Sequence, residues 1–431
     1  SILVVLVIVN RKINPSYKLA WTMLILCLPV FGLVLYLVFG RSRIAAYMQE
    51  RFNDMLAKSS NLLQTDPDLH EQLRMEAASA CNQSDYIYRN SGYPAHGNTT
   101  AEYFQVGDDM FPVLVKELEQ AQHYIFIEYF IIHDGVMWRT ILDILEKKVK
   151  EGLDVRLIYD DMGCLTTLPH KYYETMRAKG IKCQVFNPFR PILNIIQNNR
   201  DHRKFCIIDG YVGFTGGVNL ADEYINQKER FGHWKDSGIC LHGEAVWSFT
   251  VMFLQMWNIT EHRTDDYDRY LYRSAVPNPK EPDGTGFVMP YGDSPLDNET
   301  VGQHVYMDIL NESRYYVHIM TPYLILDSDM ITSLTFAAKR GIETIIIMPH
   351  IPDKIYAYLL ARSYYAELLQ AGVKIYEYIP GFVHAKVFTS DNTKAVVGSI
   401  NMDYRSLHLH FECAVYLFRN PAVQQAEADF Q

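Results

Sequence analysis

Two stretches of the chain carry the same reactive residue types at the same spacing. In "DHRKFCIIDGYVGFTGGVN", residues 201 to 219, His202, Lys204, Asp209, Gly216 and Asn219 follow the order His-x-Lys-x4-Asp-x6-Gly-x2-Asn. In "VHAKVFTSDNTKAVVGSIN", residues 383 to 401, His384, Lys386, Asp391, Gly398 and Asn401 repeat it, each 182 positions later, as from 202 to 384. A single copy would be an ordinary strand and turn, whereas five matched positions point to a duplicated functional unit. An extended chain projects alternate side chains to one face, so each histidine shares a face with its lysine. Gly216 and Gly398 permit a close turn from which Asn219 and Asn401 reach the same point. Two such sets facing one another suit a phosphodiester. One neutral imidazole attacks phosphorus, the opposite imidazolium protonates the leaving oxygen, and ammonium and amide groups stabilise the equatorial oxygens. Asp209 and Asp391 are assigned to structural ion pairing, because an anionic phosphate would repel them. A histidine used in this way needs a partner to fix its tautomer. Asp236 in "HWKDSGICLHG" and Glu412 in "LHFECAVYLF" are the candidates, each just ahead of an apolar run.

The elements around these stretches repeat as well. "MFPVLVKELEQAQ" predicts a helix, "YIFIEYFII" a strand, then come a helix to Lys150, a turn at Gly152 and the strand "VRLIYDD". Later, "YVHIMTPYLIL", the helix "MITSLTFAAKR", a turn at Gly341 and the strand "TIIIMPH" follow the same plan. "YYETMRAKGIKCQVFN" and "YYAELLQAGVKIYEYI" each read as helix, glycine stop and strand. Strands alternating with helices predict an α/β fold of two pseudo-symmetric lobes, each a mixed, mostly parallel sheet flanked by helices. The lobes are expected at residues 106–272 and 287–431, joined by a Pro- and Gly-rich linker at 273–286.

The amino end differs from an ordinary soluble chain. Leu19 to Phe39 runs 21 residues without a charge, and "ILVVLVIV" at 2–9 reads as the end of another apolar segment. Together they predict a transmembrane hairpin over residues 1–43 with a truncated first span, since about 20 residues cross a bilayer. Arg11, Lys12 and Lys18 on one flank balance Arg41, Arg43 and Arg51 on the other, so the charges set no orientation. Residues 44–105 read as a helical connector that either lies on the membrane surface or packs on the body.

Over 431 residues the hydrophobic fraction is 48% and the formal charge −10, which supplies ample core and argues against a nucleic-acid partner. The seven cysteines form no CxxC pair and read as free thiols in a reducing compartment. There is no HExxH, no GxxxxGK[ST] and no GxGxxG, and His408-x-His410 lacks an obvious set of carboxylates or cysteines around it. No metal or other cofactor is expected.

The paired His-x-Lys-x4-Asp stretches resemble the phospholipase D superfamily, and the whole chain is similar to the bacterial cardiolipin synthases within it. The resemblance is carried by "IEYF", "GGVNLADEY", "FGHWKDSGICLHGEAV", "TPYL", "GFVHAKVF" and "NMDYRSLHLHFE", and by Trp21, Pro29, Gly32, Tyr36 and Gly40-Arg41. It implies a transphosphatidylation in which one phosphatidylglycerol gives its phosphatidyl group to a histidine, releases glycerol, and a second phosphatidylglycerol takes the group to form cardiolipin. By resemblance His202 is the nucleophile and His384 the acid and base, with Lys204, Lys386, Asn219 and Asn401 around the phosphate; the repeat itself leaves the two histidines interchangeable. The resemblance also implies a multi-pass protein of the bacterial inner membrane with a cytoplasmic catalytic body. Arg190 and Arg200, in the insertion "NPFRPILNIIQNNR", are candidates for contact with anionic headgroups, and Tyr323 of "TPYL" is a further candidate for binding substrate. The rivals are a hydrolase with the same catalytic residues that releases phosphatidic acid, a membrane-anchored nuclease and an inactive scaffold.

Overall fold

The computed structural model describes residues 2–10, 15–39, 43–189, 198–261, 265–271, 284–297 and 299–431. Most of the expected linker and Arg190 lie outside them.

The first lobe is a seven-stranded sheet built from β1 (Thr99–Phe104), β2 (Tyr124–Tyr129), β3 (Asp154–Asp160), β4 (Lys182–Phe186), β5 (Lys204–Ile208), β6 (Val212–Gly216) and β7 (Gly238–Gly243). The second lobe uses β8 (Phe287–Asp293), β9 (Tyr316–Met320), β10 (Glu343–Pro349), β11 (Lys374–Tyr378), β12 (Val387–Ser390), β13 (Lys394–Gly398) and β14 (His410–Phe418). The spatial orders, β1-β7-β6-β5-β2-β3-β4 and β8-β14-β13-β12-β9-β10-β11, are the same order twice. The duplication seen in the sequence is therefore a duplication of topology.

The sheets are mixed, but the expectation that they are mostly parallel is corrected. Only β2, β3 and β4 run parallel in the first lobe, and only β9, β10 and β11 in the second; their other main-sheet neighbours are antiparallel. The cause is local. Each His-x-Lys strand ends in a turn too short for a crossover, with Asp209 and Gly210 in one lobe, and Asp391 and Asn392 in the other, all at positive φ. Such turns reverse the chain. A second correction concerns Thr99–Phe104, expected within the helical connector. Its threonines and aromatics pair with Gly238–Gly243 as an edge strand of the first sheet.

The two motif aspartates hold these turns against the sheet. Asp209 accepts backbone N–H groups from Gln122, His123 and Tyr124 at 2.8, 2.8 and 2.9 Å. Asp391 accepts those of Arg314, Tyr315 and Tyr316 at 2.8, 2.9 and 3.0 Å. Their structural role lies in tying the hairpin to the start of β2 or β9, in place of the ion pairing expected. Because Tyr124 N–H is buried whereas two of the Asp391 donors reach solvent, Asp209→Ala is expected to destabilise by about 2–4 kcal/mol and Asp391→Ala by about half as much. Thermal unfolding of the two variants checks the order.

Helix Val246–Glu261 is apolar on nearly every side and lies between the lobes, as a helix buried all round must. Phe253 stacks on Phe126 at 4.5 Å and Phe249 on Phe205 at 5.7 Å, while the absent side chain of Gly292 admits Met252 from the second lobe's side. The helix Arg43–Ser59 packs on the same element, where Gln255 donates to Ser59 Oγ at 2.7 Å, and on β14, where Phe52 meets Phe411 edge-on at 5.7 Å.

The expected single span over Leu19–Phe39 has a different local structure. The run Leu19–Phe39 is not one helix but two, Pro15–Cys27 and Pro29–Phe39. Pro29 has no N–H to continue the ladder, and the chain folds back there. Trp21 meets Tyr36 edge-on at 5.3 Å. A Cβ on Gly32 would lie 2.6 Å from the carbonyl oxygen of Leu24, so only glycine allows this approach. Thirteen and eleven residues extend about 20 and 17 Å at 1.5 Å per residue, short of the roughly 30 Å of bilayer hydrocarbon. Among the described residues no helix is long and apolar enough to cross a membrane.

Candidate active site

Two small parallel ribbons join the lobes and build the site. Arg200 and Asp201, just before His202, pair with His410 and Phe411, just before Glu412. Gly381–Val383, just before His384, pairs with His233–Lys235, just before Asp236. The N–H of His202 donates to the Phe411 carbonyl at 2.9 Å, and that of His384 to Lys235 at 2.7 Å. Each histidine is thereby delivered to the acid of the opposite lobe. His202 Nδ1 lies 2.9 and 3.0 Å from the two Glu412 oxygens, and His384 Nδ1 lies 2.6 Å from Asp236 Oδ2. With Nδ1 engaged, Nε2 is the nitrogen left for substrate.

The sequence-derived candidates converge. His202, Lys204, Asn219, Asp236, His384, Lys386, Asn401 and Glu412 are all buried, none more than 7% exposed. Lys204 and Lys386 fold back on the carbonyls of their own histidines, and Lys386 Nζ also approaches His384 Nδ1 at 2.8 Å. Gly216 and Gly398 pack against the strands that carry Asp236 and Glu412, where a Cβ would strike backbone. The asparagines differ. Asn219 accepts from Ile131 N–H at 3.0 Å and donates to Tyr224 Oη at 2.8 Å. Asn401 Oδ1 is buried with no hydrogen-bond partner.

Burial controls the charges. It pushes both histidines well below their ordinary value, against the pull of Glu412 on His202 and with the further push of Lys386 and Lys204 on His384. It lowers Lys204 to about 8 and Lys386 to about 7. The carboxyls diverge. Burial raises Asp236 to about 7 despite both lysines. For Glu412 burial also acts upward, but His202, with help from His410 and Lys204, carries it below the ordinary carboxylate range. Around the rings stand aromatics, Phe130 at 4.8 Å from His202, and Tyr224 and Trp234 at 5.4 and 5.6 Å from His384.

Two further candidates are each held by an aspartate. Arg200 is 1% exposed and grips Asp160 with Nε at 2.9 Å and a second nitrogen at 2.8 Å; this correction makes it a brace for the His202 ribbon, not a contact for headgroups. Tyr323 donates to Asp353 at 2.6 Å and lies under Lys354, 5.0 Å from its ring centre. Sequence reading missed Ser399, which donates to Glu412. The signal was present: Ser399 occupies the position matched by Gly217, and a Cβ on Gly217 would strike Asp236 Oδ1 at 2.0 Å. His410 was missed too. Its Nδ1 lies 3.7 Å from Glu412, and the donors of His202, His410 and Glu412 lie within 4.8 Å of one another, a grouping of His410 with a carboxylate that is not obvious from the sequence.

A family model described as cardiolipin synthase, PLD-like domain, matches residues 114–257 and 306–431, one copy on each lobe. The chain belongs to the cardiolipin synthase family. A second model, phospholipase D-nuclease N-terminal, covers residues 1–41. Cardiolipin synthase 2 of Bacillus cereus is 34% identical, covering 97% of this chain and 80% of that one, and the cardiolipin synthase of Halalkalibacterium halodurans is 32% identical over 99% and 84%. An uncharacterized protein of Streptococcus mutans is 47% identical over 99% and 92%. The fold alone is shared with phosphatidylserine synthase of Haemophilus influenzae, at TM-score 0.58 and 13% identity over 81% of this chain and 89% of that one. Membership makes this cardiolipin-synthase-family chain a phosphatidyltransferase, which matches a site holding two imidazoles and two lysines.

Proposed function

We propose that the enzyme transfers a phosphatidyl group from one phosphatidylglycerol to another through a phosphohistidine. His202 Nε2 attacks phosphorus; the P–N bond forms as the P–O bond to glycerol breaks, and His384 gives its proton to the departing oxygen. A hydroxyl of the second phosphatidylglycerol then enters, His384 takes its proton, the new P–O bond forms, and the P–N bond breaks to release cardiolipin. One phosphodiester replaces another, so the reaction balances without a nucleotide. Lys204, Lys386 and Asn401 face the charge on the phosphoryl oxygens, and Asn219 orders Tyr224 beside His384.

The observation that supports the role assignment is the different surroundings of the two acids: Ser399 donates to Glu412, whereas glycine stands at the matched position 217 beside Asp236. Glu412 is ionised against a neutral His202, which is what a nucleophile needs. Asp236, raised to about 7, lets its pair with His384 keep a proton near neutrality, which is what an acid needs. Attachment to the bacterial cell membrane is proposed through the apolar helices of residues 2–39, whose Leu19, Met23, Phe31 and Leu37 are exposed, and a cytoplasmic body accords with seven free cysteines.

The test is turnover of phosphatidylglycerol alone by detergent-purified protein. Cardiolipin and glycerol are expected in equal amounts; phosphatidic acid as the main product would make the enzyme a hydrolase.

A further inference from the structure

The helix Ile355–Gln370 begins beside the site and presents an apolar face with none of the described residues over it. Ile355, Tyr356 and Leu359 are 63, 68 and 60% exposed, Leu360 stands next to them at the helical spacing of four, and Ile379 reaches 75% in the turn before His384. Large apolar groups gathered on a surface mark an interaction site. This one adjoins the chemistry. Lys354, the residue before the helix, donates to Tyr323 Oη at 3.2 Å and lies within electrostatic reach of His384.

A relay of packed elements also links this helix to the amino-terminal apolar helices. Helix Ile355–Gln370 packs on Leu324–Ile325, which pairs with Met402–Asp403. The next residue, Tyr404, lies close enough to Tyr17, at the base of helix Pro15–Cys27, to interact electrostatically. Tyrosine and cations edge the apolar patch, with Lys354 and Arg362 exposed at its ends, as on surfaces that sit at the level of lipid headgroups. The first lobe has an apolar surface at the matching place beyond β3 and β4, where exposed Leu165 and Phe189 rim a cavity of about 550 Å³.

We propose that the face formed by Ile355, Tyr356, Leu359, Leu360 and Ile379 seats in the bilayer interface, with Lys354 and Arg362 against anionic headgroups, so that phosphatidylglycerol enters the buried site sideways from the membrane. The proposal rests on phosphatidyl transfer as the activity. It adds a second membrane contact, on the catalytic body itself, to the amino-terminal helices.

The test uses the full chain carrying either Tyr356→Ser or Leu359→Ser, both on the surface and away from the catalytic groups. On vesicles of phosphatidylglycerol in phosphatidylcholine, the half-saturating fraction of phosphatidylglycerol should rise by about tenfold, the effect of withdrawing one large apolar side chain from the interface. On monomeric dihexanoylphosphatidylglycerol the rates should match the parent's. A nitrobenzoxadiazole dye on Leu359→Cys, in a Cys27→Ser background that removes the exposed cysteine, should shift to the blue with those vesicles. Unchanged vesicle kinetics, or dye emission indifferent to vesicles, would overturn the proposal. So would a blue shift that appears without lipid and grows with protein concentration, which would assign the face to a second copy of the chain. If the parent turns over phosphatidylglycerol neither in vesicles nor as the monomeric lipid, phosphatidyl transfer is refuted, while the dye still reports whether the face meets a bilayer.

Discussion

His202→Ala and His384→Ala each make less than about one-thousandth of the parent's cardiolipin, yet they fail at different points. In the proposed mechanism His202 supplies the atom that bonds to phosphorus, so its loss removes the covalent intermediate altogether. His384 supplies and removes protons, a contribution of about 10²–10⁴-fold in each half-reaction. The separation is made with a donor whose leaving group is p-nitrophenol, which departs without needing a proton. His384→Ala then releases a burst of p-nitrophenol and holds the phosphatidyl group on His202, because no base delivers the acceptor. His202→Ala gives no burst and retains no label after acid-free quenching and gel separation. A trapped label on His202→Ala, absent from His384→Ala, would reverse the two roles; full activity in either variant would remove that histidine from the mechanism. Both substitutions leave the ribbons intact, since those are held by backbone pairing and not by the rings.

How much of this was legible in the chain depends on the range over which each feature is set. The His-Lys pairs rest on the period of two along a strand, and the lobes on a repeat with one constant offset; both are properties of neighbouring residues. Asp236 and Glu412 are readable as partners because each stands just ahead of an apolar, strand-like run. Which histidine each would meet is not, because the ribbons Arg200–Asp201 with His410–Phe411 and Gly381–Val383 with His233–Lys235 join residues far apart in sequence. Arg200 looked like a headgroup ligand since nothing local announces Asp160, forty positions earlier. The fold-back at Leu28 and Pro29 was hidden by composition: the apolar run is long enough to span a bilayer, and one proline with one glycine three positions on decides that it turns instead. The mostly parallel sheet was an overextension of the helix-strand alternation, which stops at β4 and β11, where hairpin turns take over.

The divergence of the two acids makes the second large prediction. Glu412→Gln and Asp236→Asn each lower the rate by about 10²–10⁴-fold, because an amide in place of the carboxylate no longer holds the imidazole in its working tautomer. Their pH profiles separate them. In the parent, kcat/KM for phosphatidylglycerol falls as pH rises through about 7, where the Asp236–His384 pair loses its transferable proton. The acid limb lies below the ordinary histidine range, because His202 stays neutral well beneath it. Glu412→Gln keeps the fall near pH 7, since the proton-holding pair is untouched, and changes the acid limb. Asp236→Asn removes the fall near pH 7 and keeps the acid limb. A profile in which Glu412→Gln moves the alkaline limb would place the transferable proton on His202 and make His384 the nucleophile. The repeat alone is symmetric. What distinguishes the halves is that Gly217 leaves Asp236 without a hydroxyl partner where Ser399 gives one to Glu412. A hydrogen bond to the charged form favours ionisation, so Gly217 and Ser399 help to set which lobe attacks and which protonates.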